Sequence, residues 1–560
     1  MTWRYRLVFA SIVFFFLLIV VRLFYWQVVR APELSALAQE QYGTAVNVQP
    51  QRGDIETSDG FPLATSQITY LVFANPKEIQ NKNEEILSLS KYLDVGVASL
   101  SADLALDRFW VPLESGVSIE VKSEIEKLNL PGIGFSQQYE RFYPEASMAA
   151  QLLGFLGKDE QGNDKGYFGL EGYYDRLLSG KEGVAVQVHD AFGRPILASM
   201  NTTSNATDGQ NLILNLNRSI QFLVEKKLKE GVEKYGASSG MIGIMDPKTG
   251  GILAMASYPK FDPRDYQDYP EELYMNPFIS DLYEPGSTFK PIVMSYALNQ
   301  NVITPQTRCN ICSGPVEVGG YAIHTWNDKY FPGTDMISVI QHSDNTGMVF
   351  VAQKLGLDNM LTGLGKFGIG SDTGIDLQGE ASAALKPKDQ WYAVDLATTG
   401  FGQGISVTPI ELLDAIAAIA NDGKRMQPEV VKAVENPDGS IVGIPPKVLD
   451  QPISPQTAKV MTEIMVNAVN KGEASFARLK GYRIAGKTGT ASIPIAGHYD
   501  PTQTIASFVG FAPADNPKFV MLVILNRPTA SIYGAETAAP IFFDIAKSLL
   551  EYYGIPPSGE

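Results

Sequence analysis

A serine and a lysine, Ser287 and Lys290, sit in the stretch Tyr283-Glu284-Pro285-Gly286-Ser287-Thr288-Phe289-Lys290-Pro291. On a helix this spacing puts both side chains on one face, one turn apart. Pro285 and Gly286 are poor in a helix interior, so the spacing predicts a helix starting near Ser287. Pro291 then falls within the first turn, where a missing backbone N–H costs little. Ser287 would lie at the positive end of the helix dipole, with Lys290 reaching back toward its hydroxyl. A serine near neutral pH is a weak nucleophile. A lysine that has lost its proton, through desolvation or a nearby positive charge, can act as its base. Ser-x-x-Lys patterns are also common on solvated helix faces, so the pair alone decides little. Two further stretches carry hydroxyl, amide and ammonium groups. Ser343-Asp344-Asn345 lies in Ile340-Gln341-His342-Ser343-Asp344-Asn345-Thr346-Gly347, and Lys487-Thr488-Gly489-Thr490 follows Arg483-Ile484-Ala485-Gly486. Taken singly, the first reads as a helix cap or turn and the second as the end of a strand with a glycine.

The chain that must position these residues has 560 residues, enough for two to four domains with large cores. Its 45 Lys and Arg against 61 Asp and Glu give a net charge of −16, which argues against nucleic acid as the main partner. Two cysteines exclude a multi-disulfide scaffold and a four-cysteine zinc site. Leu7 to Val21 is an almost unbroken apolar run, Arg22 interrupts it and Leu23 to Val29 continues it; the whole stretch would span about 30–35 Å as a helix, enough for a bilayer. Arg4 and Arg6 precede it without an acidic residue, which places the N-terminus in the cytoplasm. A cleaved signal peptide, with Ala36-Leu37-Ala38 as its small-residue site, is the competing reading. The length of the apolar stretch and its bulky aromatic end favour an uncleaved anchor.

Ala31 to Tyr42 reads as a short juxtamembrane helix, Asn83 to Asp103 and Val117 to Leu128 as two more, and Ser219 to Tyr235 as another. Ser239 to Met245 and Gly251 to Ser257 form a hairpin around Asp246-Pro247-Lys248-Thr249-Gly250. Val339 to Leu355 carries the Ser-Asp-Asn stretch and an apolar helix after it. Ile410 to Asn421 and Ser454 to Asn470 are helices. Arg483 to Ser492, Ala506 to Ala512 and Lys518 to Leu525 are strands, and a helix closes the chain over Ala538 to Tyr553. Helices around an antiparallel sheet make an α+β domain. Cys309 and Cys312 form a Cys-x-x-Cys for which a local disulfide, free thiols and a metal half-site with His324 are all open. Thr399-Gly400-Phe401-Gly402-Gln403-Gly404 lacks the strand and helix of a dinucleotide fingerprint, so nucleotide binding is rejected.

Ser-x-x-Lys, Ser-Asp-Asn and Lys-Thr-Gly, in this order, form the motif set of penicillin-recognising serine enzymes. The chain resembles the class B penicillin-binding proteins, membrane-anchored D,D-transpeptidases of peptidoglycan, over nearly its whole length. Arg52-Gly53-Asp54 with Asp59-Gly60, Arg141-Phe142-Tyr143-Pro144, and Gly169-Leu170-Glu171-Gly172 resemble the three motifs of that family's N-terminal module. Asp59 stands where the family commonly has Asn, and Asn215-Leu216-Asn217 where it usually has Thr-Ile-Asp. An Arg and a Glu from separated segments there are read as a brace rather than as chemistry. The resulting organisation is a cytoplasmic tip and single transmembrane helix over 1–30, a juxtamembrane helix and elongated, non-catalytic pedestal of the dimerisation type over 31–235, and a transpeptidase domain over 236–560.

The resemblance implies roles residue by residue. Ser287 attacks the penultimate D-Ala carbonyl of a stem peptide and Lys290 takes its proton. Ser343 relays a proton to the leaving amine, and Asn345 orders Lys290 and the substrate amide. Lys487 supplies a cation near the substrate carboxylate and helps keep Lys290 neutral. Thr488 and Thr490 offer hydroxyls to that carboxylate, and Gly489 lets peptide approach the strand. The N–H groups of Ser287 and Thr490 form the oxyanion hole. β-Lactams acylate Ser287, and no metal or organic cofactor is required. A polytopic lipid II glycosyltransferase and other division proteins are implied partners, with the catalytic domain outside the cell membrane. The division type is favoured over the elongation type. A D,D-carboxypeptidase or β-lactamase on the same site, and a non-catalytic β-lactam-binding scaffold, are the alternatives. All three motifs being intact, and one apolar run being long enough to span, weigh against a scaffold or sensor.

Overall fold

A computed structural model of the protein describes residues 2–34, 43–188, 201–495 and 498–558. Helix α1 (Thr2–Phe24) continues through a wider last turn, Tyr25–Val29. None of its residues is buried, and Thr2–Val29 is long and apolar enough to cross a membrane. The Arg22 guanidinium lies 5.6 Å and 5.0 Å from the ring centroids of Tyr25 and Trp26, so a cation inside the apolar stretch is drawn to the aromatic belt at its end. Ala31 to Leu34 are helical. The rest of the expected helix to Tyr42, and Ala36-Leu37-Ala38, lie outside the described residues.

The chain divides into two compact units. The first comprises Met1–Arg52, Ser66–Glu140 and Ser179–Gly209. Its core gathers Val72, Ala74, Ile86, Leu89, Leu100, Leu104 and Ile125. The helix expected over Asn83 to Asp103 is two helices, Lys82–Leu89 and Val97–Ala105. Gly96, in an extended conformation (φ −61°, ψ 143°), interrupts the helical path and starts the second. The next helix is Ile119–Lys127, because Val117 ends a strand and the Ser118 hydroxyl caps the helix by accepting from Val121 N.

The second unit comprises Gly53–Thr65, Arg141–Leu178 and Gln210–Glu560. Three of the motif stretches meet inside it. Arg141 Nε donates to Glu171 Oε1 at 2.7 Å and Arg141 Nη1 to the Gly53 oxygen at 2.8 Å, with the ion pair fully withdrawn from solvent.

The rest of the unit is built on a sheet. In chain order its main elements are α2 (Arg218–Tyr235), β1 (Ser239–Met245), β2 (Ile252–Tyr258), α3 (Lys290–Asn299), α4 (Met336–Gln341), α5 (Asn345–Leu355), α6 (Pro409–Ala420), α7 (Pro455–Lys471), β3 (Ala485–Ile495), β4 (His498–Ala512), β5 (Phe519–Asn526) and α8 (Ala538–Tyr552). The five strands pair antiparallel in the order β2-β1-β5-β4-β3. β5 is apolar without alternation because both its faces are covered. Val520, Leu522 and Ile524 join a core with Ile292 and Val293 of α3 and Ile410 and Leu413 of α6. Met521, Val523 and Leu525 join another with Val224 and Leu228 of α2 and Phe542 and Ile545 of α8. β3, which carries Lys-Thr-Gly-Thr, is left at the edge of the sheet.

Candidate active site

The nucleophile segment begins as a single tight turn. Gly286–Thr288 form one 3₁₀ turn, and regular α-helix starts at Lys290 with Pro291 in its first turn. Ser287 therefore precedes the helix proper instead of opening it. Gly286 is the reason: at φ +57° it breaks the helical path. Its N–H donates to the Gly402 oxygen at 2.9 Å. A Cβ on Gly402, itself at φ +82°, would lie 2.0 Å from the Gly286 oxygen. The glycine-rich stretch is thus backbone support under the nucleophile turn, reinforced where Gly404 N donates to Glu284 Oε1 at 3.1 Å.

Ser-Asp-Asn sits at a reversal between α4 and α5. Ser343 takes a left-handed conformation (φ +54°). Asp344 then caps α5, accepting from Gly347 N at 3.1 Å and from the Thr346 hydroxyl at 2.7 Å. Lys290 Nζ donates to Ser343 O at 2.6 Å, to Asn345 Oδ1 at 2.8 Å and to Ser343 Oγ at 3.2 Å. Asn345 Nδ2 donates to the His324 oxygen at 3.0 Å, which fixes the amide with its oxygen toward the lysine. Lys290 has no exposed surface. Burial, and next the positive charge of Lys487, push its amine down to about 7, against the opposing pull of Asp344 and Glu473.

Lys487 and Thr488 are also withdrawn from solvent. Lys487 Nζ donates to Thr488 Oγ1 at 2.9 Å and to Thr488 O at 3.2 Å. Burial lowers its pKa, and Glu473 opposes that shift. The Thr488 hydroxyl donates to Glu473 Oε2 at 2.8 Å. Thr490 Oγ1 accepts from Gly534 N at 3.1 Å. A Cβ on Gly489 would lie 2.3 Å from Ser507 Oγ and 2.9 Å from Thr288 Cγ2. That glycine lets the strand close onto the nucleophile turn.

Lys290, Ser343 and Asn345 are thus in direct contact, Lys487 and Thr488 pair on β3, and Gly489 packs against the turn that holds Ser287. Cys309 and Cys312 are joined as a disulfide with Cα atoms 5.8 Å apart. Sequence reasoning passed over Glu473 and the His324 carbonyl. Nothing in Lys471-Gly472-Glu473 marks the first, and a main-chain oxygen leaves no trace in composition.

A buried lysine pinned to a Ser-Asp-Asn turn, facing a Lys-Thr-Gly edge strand in an α+β unit, defines a penicillin-recognising serine enzyme. Residues 240–547 match the penicillin binding protein transpeptidase domain and residues 47–214 the penicillin-binding protein dimerisation domain. The chain is 34% identical over 567 residues to stage V sporulation protein D of Bacillus subtilis, covering 99% of this chain and 87% of that one. It is 30% identical over 569 residues to peptidoglycan D,D-transpeptidase FtsI of Escherichia coli, covering 99% and 93%. The crystal structure of penicillin binding protein 3 of Mycobacterium tuberculosis complexed with aztreonam superposes with a TM-score of 0.71 at 26% identity, covering 92% of this chain and 98% of that one. The chain belongs to the class B penicillin-binding proteins.

Proposed function

We propose that this protein cross-links peptidoglycan stem peptides as a serine D,D-transpeptidase, with Ser287 as the nucleophile. The observation that carries the reading is the Lys290 amine. It lies three residues beyond Ser287, wholly buried, held by Ser343 and Asn345, and brought to about 7 by desolvation and Lys487. At neutral pH a large share of such an amine is free base and can accept the serine proton.

In the first half-reaction Ser287 Oγ bonds to the carbonyl carbon of the penultimate D-Ala and gives its proton to Lys290. The bond from that carbon to the terminal D-Ala nitrogen breaks, and the departing amine takes a proton through the Ser343 hydroxyl, which lies 3.2 Å from Lys290 Nζ. In the second, the amine of another stem peptide bonds to the same carbon, Ser287 leaves, and the proton returns to its oxygen. The backbone N–H groups of Ser287 and Thr490 hold the oxyanion. Lys487 and Thr490 receive the terminal carboxylate, Thr488 holds Lys487 from behind through its hydroxyl, and Gly489 admits the peptide at the strand edge. A β-lactam enters the same path as the donor. Residues 31–235 serve as a pedestal and 236–560 as the catalytic domain. One membrane span leaves the N-terminus in the cytoplasm and the site outside. The setting is septal synthesis, in keeping with relatives named FtsI, and a lipid II glycosyltransferase and other division proteins are its proposed partners.

The test is labelling of the full chain in detergent with a fluorescent penicillin, with peptide mapping. A stable, stoichiometric adduct on Ser287, absent from Ser287→Ala, is the expected result. Rapid loss of the label would instead make the protein a β-lactamase. No adduct on folded protein would overturn the acyl-serine reading.

A further inference from the structure

Glu473 lies just past α7, after Gly472, and belongs to none of the motifs. Its carboxylate accepts from the Thr488 hydroxyl at 2.8 Å, and that hydroxyl accepts from the Lys487 ammonium at 2.9 Å. The direction of this chain is fixed by chemistry: an ammonium has nothing to accept with and a carboxylate nothing to donate, so the hydroxyl must take from one and give to the other. The small cavity behind β3 that receives Glu473 has Lys487 as its only other charged lining residue, beside Gln341 and Phe508. A lysine as buried as Lys487 is strongly destabilised unless an opposite charge is near. Glu473 supplies one, reaching it through a single hydroxyl.

We propose that Glu473 is a positioning residue of the acylation site: through the Thr488 hydroxyl it anchors the Lys487 ammonium to β3, and its negative charge balances the two buried lysines. The inference rests on the acyl-serine reading of Ser287. Its consequence is directional. The Glu473 charge favours the protonated form of both Lys290 and Lys487. Asp344 adds to this at Lys290, and Lys487 opposes it there. Acylation needs Lys290 neutral and Lys487 charged. Removing the Glu473 charge therefore lets Lys290 lose its proton at lower pH, and makes Lys487 lose its proton at lower pH too. Both limbs of the pH profile move the same way. A residue that merely filled space would change the height of the profile and leave its limbs in place.

The experiment is the second-order rate of acylation of the full chain in detergent by a fluorescent penicillin, across pH, for wild type, Glu473→Asp and Glu473→Gln. Gln keeps the size and removes the charge. Asp keeps the charge and withdraws it by one methylene. The expected result is a displacement of both limbs toward acid by about half a unit or more in the Gln variant, smaller and of the same sign in the Asp variant. Unshifted limbs in the Gln variant, whatever its rate, overturn the proposal. If that variant does not fold, the Asp variant decides, and a profile superposing on wild type overturns it. Wild type that forms no Ser287 adduct would overturn the function itself. An adduct with unmoved limbs overturns only the role of Glu473.

Discussion

The Lys290 amine donates to the main-chain oxygen of Ser343 at 2.6 Å, and Ser343 is held in a left-handed conformation, φ +54°. A side chain in that region costs about 1 kcal/mol or more relative to glycine. The strain stands where the carbonyl and hydroxyl of one residue both meet the lysine. Ser343→Gly should therefore raise stability, by about 1 kcal/mol, while slowing acylation through loss of the hydroxyl. Ser343→Ala should slow acylation similarly without the gain. Thermal unfolding and penicillin acylation rates, measured on the same preparations, check both. A glycine variant no more stable than the alanine variant would remove strain from the account.

The protonation of Lys290 gives the acid limb of acylation. Burial and the Lys487 charge lower its pKa to about 7. Below that value the amine is increasingly charged and cannot take the serine proton. The acylation rate should rise with pH through about 7 and fall roughly tenfold per unit below it. Asn345→Ala removes an acceptor that favours the charged amine and also the group that positions it. Hydrogen bonds to charged groups contribute about 1.5–3 kcal/mol, so acylation should fall roughly tenfold to a hundredfold. A variant within twofold of wild type at every pH would show that Asn345 does not hold the lysine for reaction.

Beneath the nucleophile, Gly402 has no room for a side chain. Gly402→Ala would force a Cβ to within 2.0 Å of the Gly286 oxygen from a backbone at φ +82°. The turn carrying Ser287 must move, and a shift of about 1 Å in a reacting atom is worth about a hundredfold in rate. Acylation of this variant should drop by at least that factor while its circular dichroism stays native. Normal acylation would mean the turn is not supported from below.

Much of this site was legible because its chemistry depends on residue type and order. Ser287, Lys290, Ser343, Asn345 and Lys487 all lie in short motifs, and their helices and strands follow from apolar periodicity and turn residues. The unbroken apolar run of β5 gave a strand. What escaped was set by contacts between distant segments. The start of α3 moved past Ser287 because Gly286 bonds to Gly402, more than a hundred positions away in the chain. Glu473 acquires its partner only when α7 and β3 come together. Thr488 was expected to face a substrate carboxylate, yet its hydroxyl rests on Glu473. Asn83 to Asp103 reads as a helix, yet residues 90–96 separate Lys82–Leu89 from Val97–Ala105.

The Arg141–Glu171 pair tests the bracing role of the motifs before the catalytic sheet. With side chains 3% and 0% exposed, neither ion can recover hydration if the other is removed. Glu171→Gln leaves the guanidinium buried against a neutral amide, and Arg141→Met removes the guanidinium that bonds the Glu171 carboxylate at 2.7 Å. Breaking a buried pair from one side costs about 3–5 kcal/mol, whereas replacing both ions with apolar groups of similar size is often neutral. Each single variant should therefore lose about that much in chemical unfolding of the full chain, and Arg141→Met combined with Glu171→Leu should recover most of the loss. Protein that remains folded should still acylate Ser287, because the pair touches none of the reacting groups. Single variants within about 1 kcal/mol of wild type would mean that water reaches the pair. A double variant as unstable as the worse single would mean that the hydrogen bond to the Gly53 carbonyl, not the charge pairing, is what joins these segments.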